Sequence, residues 1–123
     1  MTDLRFPIGQ FDLANFASRD ENLRTIRELP SRLSAAVAGL SDEQLDTEYR
    51  PGGWTVRQTV HHLADSHANS IIRFKLALTE DSPPTIKPYY EERWAELADS
   101  KLSIDISLRM LAAIHERWTA LLE

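Results

Sequence analysis

Residues Thr55 to Thr79 are the longest stretch of this chain with one unbroken helical period. Val56, Val60, Leu63, His67, Ile71, Phe74 and Leu78 recur at steps of three and four, so they share one side of a helix and form its expected buried seam. Thr55 with Gln58 reads as a capping box at the start. Asp81-Ser82-Pro83-Pro84 ends the run. The predicted helix is roughly 25 residues and ~37 Å long.

The flanking segments are also helical in pattern. Ser18 with Glu21 reads as a capping box, followed by Leu23, Ile26, Leu33, Val37 and Leu40 on one face. Pro30 sits inside that face, so a kink or break is expected there. Gly39 is the expected terminator. Ser41 with Gln44 starts a single short turn ending near Asp46. Tyr49-Arg50-Pro51-Gly52-Gly53 is a loop of strong breakers.

After the long helix, Tyr89 to Ala98 is expected to be a short amphipathic helix showing Tyr90, Trp94 and Leu97. A last helix starts after Ser103 and carries Ile104, Leu108, Leu111, His115, Trp118 and Leu122. Residues 1–17 are too apolar for a free tail and are read as an extended arm lying on the body. No run alternates with period two over strand length, so the predicted class is all-α, in one domain over residues 1–123.

Composition removes several functions. There is no Cys, which rules out disulfides, zinc–thiolate clusters and thiol nucleophiles and fits a reducing, cytoplasmic setting. The net charge of −5, with scattered basic residues, speaks against nucleic-acid binding. No apolar run approaches the ~20 residues that span a bilayer. The N-terminus lacks the basic start and apolar core of a secretory signal.

The chemistry-bearing feature is the polar stripe of the long helix. Gln58, His62, Asp65, Ser66, Asn69 and Arg73 share a face roughly opposite Val60 and Ile71. A neutral imidazole is a common ligand for zinc, nickel, copper and iron, and a carboxylate one turn on can bind or orient it. The spacing His62-x-x-Asp65 therefore permits half of a metal site. A solvated face is the commoner origin of such a stripe. A catalytic zinc site needs three protein ligands and one open position. His61, His62, His67 and His115 include no i, i+4 pair. His67 and His115 fall in or beside apolar seams, where a hydrogen-bonded interior role is expected. No nucleophile elbow, phosphate loop or dinucleotide motif is present.

Phe6-Pro7-Ile8-Gly9, Leu45-Asp46-Thr47, Gly52-Gly53-Trp54-Thr55-Val56-Arg57-Gln58, His61-His62-Leu63-Ala64-Asp65-Ser66-His67, Ile72-Arg73-Phe74-Lys75-Leu76 and Arg117-Trp118-Thr119-Ala120-Leu121-Leu122 together resemble the YfiT-like branch of the DinB superfamily. The resemblance implies an up-and-down four-helix bundle. It implies a divalent metal, zinc or nickel, held by three histidines. His62 matches the ligand on the second long helix, and a His-x-x-x-His pair on the last helix supplies the other two. That pair has no counterpart in these residues, so about three long helices, an incomplete site and an uncovered groove are expected. Asp65, Asn69 and Arg73 are expected to orient ligand or substrate. The implied activity is metal-dependent hydrolysis, or transfer of a low-molecular-weight thiol such as bacillithiol to an electrophile. The alternative is a non-catalytic helical module. A homodimer is expected, with no nucleic-acid or membrane partner.

Overall fold

The computed structural model describes residues 3–123. Three long helices carry the fold: α1 (Arg19–Val37), α3 (Val56–Thr79) and α5 (Ile104–Leu122). Single turns α2 (Asp42–Leu45) and α4 (Glu91–Trp94) lie between them, with 3₁₀ turns at Leu13–Asn15 and Ala98–Lys101. Among the described residues there is no strand; Glu48 and Thr55 form one isolated antiparallel bridge. Among the described residues no helix is long and apolar enough to cross a membrane.

α5 is the central helix, with α3 and α1 both packed along it. Val37, Leu45, Val60 and Ile104 form the core at one end, joined by Leu33, Leu40, Val56 and Leu108. Leu111, fully buried, lies further along α5.

The start signals act as expected, with one exception. Thr55 accepts from the Gln58 amide and the Gln58 side chain reaches back to Thr55, a complete capping box. Ser41 and Gln44 form another. Ser18 accepts from the Glu21 amide, but the return bond is absent, so this box is half formed. Gly39 follows α1 with a φ of 77°, a left-handed conformation that glycine adopts without steric cost.

Several expectations need correction. α1 runs unbroken through Pro30. A proline lacks the N–H that would bond the carbonyl four residues back, here that of Ile26. His115 Nδ1 occupies that carbonyl instead, at 2.6 Å, so α5 supplies the bond that α1 gives up. The helix expected over Tyr89–Ala98 is only the turn Glu91–Trp94, with no side-chain cap at Tyr90. So short a segment has little intrinsic stability, and Tyr90 and Leu97 remain exposed. Phe74 and Leu78, expected in the buried seam of α3, are exposed as well. Phe74 reaches only the edge of the interior, against Trp118.

The arm also departs from its expected place. Its first two residues lie outside the described residues. Arg5 and Pro7 line a cleft with Leu33, Trp54 and Val60, so this part touches the body. Ile8, Phe11, Leu13 and Phe16 instead point to solvent, Ile8 at 98% exposure. The short turn Leu13–Asn15, capped by Asp12, interrupts the extended run of the arm.

Candidate functional site

The site is built around the N-terminal half of α3, and hydrogen bonding sorts its histidines. His61 is buried with both ring nitrogens engaged: Nδ1 with Ser107 Oγ at 2.6 Å, and Nε2 with the Leu102 carbonyl at 2.9 Å. A carbonyl only accepts, so Nε2 carries the proton and Nδ1 accepts from the serine hydroxyl. No nitrogen is left for a metal. His115 is buried and likewise fully engaged, with Ile26 and His67. His67 is half-buried and uses Nδ1. His62 alone forms no hydrogen bond among the described residues, so both its ring nitrogens are free.

The His62 ring is half-buried against the indole of Trp54, with centroids 4.7 Å apart. The preceding loop places that indole. Gly52 turns with a φ of 75°, and the Tyr49 amide donates to the Trp54 carbonyl at 3.1 Å. The chain then enters α3 through the Thr55 cap.

Asp65 is half-buried one turn beyond His62. Burial pushes its carboxyl above the ordinary value, and the charge of Asp99 pushes the same way; His62 and His61 oppose the shift. A cation beside this carboxylate would relieve the penalty. Asn69 turns its amide nitrogen back to the Asp65 carbonyl at 2.9 Å, leaving its side-chain oxygen for other partners. Arg73 lies eleven residues past His62, about 16 Å along the axis. It donates to the Lys87 carbonyl at 3.1 Å and so ties down the loop after α3. Thus Asp65 adjoins His62, whereas Arg73 belongs to a different part of the helix.

Two structural roles escaped the sequence reading. Arg57, little exposed, holds Asp46 at 2.8 Å, Asp42 at 3.1 Å and the Leu102 carbonyl at 3.1 Å, which fastens α2 and the start of α5 to α3. The other is that His67 and His115, expected to be hydrogen-bonded in the interior, are each other's partner. Its signal was available: two histidines at interior positions of two amphipathic helices can meet when those helices pack.

A model of the DinB superfamily matches residues 25–123. The chain belongs to the DinB superfamily. A Bacillus mycoides (strain KBAB4) protein named "Putative metal-dependent hydrolase" is 57% identical, over 99% of this chain and 72% of its own length. A Bacillus cereus (strain AH820) protein with the same description is 58% identical over the same shares. Among solved structures, YfiT from Bacillus subtilis superposes with a TM-score of 0.89 and 51% identity, over 98% of this chain and 71% of that one. YfiT is described as "a probable metal-dependent hydrolase with an unusual four-helix bundle topology". Three of the long helices of such a DinB bundle are therefore laid out here as α1, α3 and α5.

The fit of a metal can be tested on the donor set. His62 offers free imidazole nitrogens beside one carboxylate. Among the described residues, no three His, Cys, Asp or Glu side chains converge on a point that could hold an ion. The residues present supply one ligand and do not complete a catalytic site, which needs three.

Proposed function

We propose that this chain carries the His62 part of the machinery of a metal-dependent hydrolase. The observation that carries the reading is the hydrogen-bond sorting: of the four histidines, His62 keeps both nitrogens free and has a half-buried carboxylate for a neighbour. The names of the 57–58% identical relatives support it. Zinc or nickel suits an imidazole donor. Asp65 would orient the His62 ring or a polar ligand, and the free oxygen of Asn69 would face the same side.

The substrate proposed is a small molecule, with transfer of a low-molecular-weight thiol as the finer alternative to hydrolysis. The protein is proposed to act in the cytoplasm as a homodimer, without nucleic-acid or membrane partners. Size-exclusion chromatography with light scattering tests the dimer, and a clean monomer at high concentration refutes it. A second reading is a non-catalytic helical module, supported by the failure of three ligands to converge among the described residues.

Titration of the purified chain with Zn²⁺ or Ni²⁺ separates the two readings. Binding that disappears in His62→Ala supports the ligand role. Equal binding by both proteins removes His62 from it, and no binding by either favours the non-catalytic module.

A further inference from the structure

The sequence places two histidines in the interior of the bundle, and His62 has no need of them. His115 on α5 bonds the Ile26 carbonyl of α1 through Nδ1 at 2.6 Å. Its Nε2 lies 2.6 Å from Nδ1 of His67 on α3. The proton positions follow from the ends of this chain. A carbonyl can only accept, so His115 Nδ1 bears a hydrogen. In the neutral ring its Nε2 is then a lone pair, so His67 Nδ1 donates to it. His67 Nε2 is left unprotonated, with no partner among the described residues. Each bond runs from one helix to the next, α3 to α5 to α1.

The carbonyl at the end of this relay is open because of Pro30. Without a proline nitrogen hydrogen, α1 cannot satisfy Ile26 from within. Among the described residues, the other polar ties between α1 and the end of α5 are Arg19 to the Leu122 carbonyl and Arg27 to Glu123. Both are exposed and contribute little.

We propose that the His67–His115 pair is an acid-sensitive latch that holds α1, α3 and α5 together while the pair carries at most one added proton. A first proton enters at the free Nε2 of His67 and leaves both bonds intact. A second must take the Nε2 lone pair of His115. That nitrogen then faces the His67 N–H as a donor, and two cations stand ring to ring. The His67–His115 bond is lost, and repulsion between the two enclosed cations drives the rings, and the helices that carry them, apart.

The surroundings offer these charges little compensation. Trp118 lies edge-on to both rings, at 5.6 Å from His67 and 5.3 Å from His115. His62, on α3, is the other titratable group whose charge reaches His67. Arg27 of α1 and Glu116 and Glu123 of α5 line the cleft that reaches His115. No carboxylate bonds either imidazole among the described residues. Burial and the neighbouring His115 push His67 down to about 4.

The test is urea unfolding of the 123-residue chain across pH, with His67→Gln as the comparison. A glutamine amide can donate to His115 or turn over and accept from it, so it tolerates both protonation states. Between about pH 7 and pH 4.5 the folded-to-unfolded ratio of the wild type should fall at least about tenfold more than that of the variant. Parallel losses would overturn the latch. A second readout needs no variant: the imidazole resonances of the folded wild type. A slowly exchanging His115 Nδ1–H at neutral pH, lost together with amide protection in α1 on acidification, is the expected result. Independent titration of both rings near the ordinary histidine value, in the intact fold, would sink the proposal.

Discussion

His115 stands in for the backbone amide that Pro30 lacks: its Nδ1 lies 2.6 Å from the Ile26 carbonyl, four residues before the proline. The relationship makes a double-mutant cycle informative. His115→Phe strands the Ile26 carbonyl and the His67 donor in the interior, and should cost about 2–4 kcal/mol. Pro30→Ala returns an amide hydrogen that can bond Ile26 within α1. In that background the same histidine change should cost about 1 kcal/mol less. Urea unfolding at neutral pH measures all four corners, and a coupling of zero would show that the carbonyl was never the issue.

Trp54 should matter to His62 without binding a metal itself. The two rings meet at 4.7 Å with planes tilted by 53°, and no hydrogen bond holds the imidazole. Trp54→Ala should free the ring and weaken Ni²⁺ binding to the chain about tenfold, the scale of losing an orienting partner. Trp54→Phe should restore most of it. Line broadening of the His62 resonances by Ni²⁺ is the readout, and an unchanged midpoint in Trp54→Ala would show that the ring needs no brace.

Gly53 is a packing constraint rather than a conformational one. A Cβ there would lie 2.6 Å from Tyr49 Cε1 and 2.7 Å from Arg50 Cγ. Gly53→Ala should therefore push the Tyr49 ring aside and cost about 1–2 kcal/mol. Trp54 fluorescence should shift with it, because the Tyr49 amide bonds the Trp54 carbonyl. A variant with wild-type stability and spectrum would mean that the exposed Tyr49 ring moves away freely.

Asp65 and His67 should give opposite pH dependences. The Asp65 carboxyl is raised above its unfolded value of 3.8, so the folded state takes up that proton first. Its charge works against folding at neutral pH, and the penalty fades as pH falls towards 3.8. Asp65→Asn should thus stabilise the metal-free chain at neutral pH by about 0.5 kcal/mol, and the gain should shrink in acid. His67 is lowered from 6.5 to about 4, so the unfolded chain binds that proton first. Its contribution is complete above pH 6.5 and is lost as pH falls towards 4. Differential urea curves for Asp65→Asn and His67→Gln should slope in opposite directions, and a shared slope would refute the assignment.

Much of the scaffold could be read from neighbouring residues. Thr55 and Gln58 are three residues apart, and their box marks the start of α3 without help from elsewhere. Local rules failed where a distant partner decides. Pro30 signalled a kink or break by its own chemistry, yet α1 runs on through it, and His115 bonds the carbonyl left open, 89 residues away. Phe74 and Leu78 fit the period of the seam, but period says only which side they share; exposure depends on what packs there.

The amino-acid order alone determined an all-helical chain, the bounds and cap of its longest helix, its superfamily, and His62 with Asp65 as neighbours on one face. Those properties depend on residues within a turn or two of each other. Which imidazole nitrogens remain available was decided only by tertiary structure. Ser107 and Leu102 occupy His61 from 46 and 41 residues away, and His67 and Ile26 occupy His115 from 48 and 89. A ring nitrogen is free or taken according to the atoms that packing brings within 3 Å of it, and helical periodicity along one segment carries no record of them.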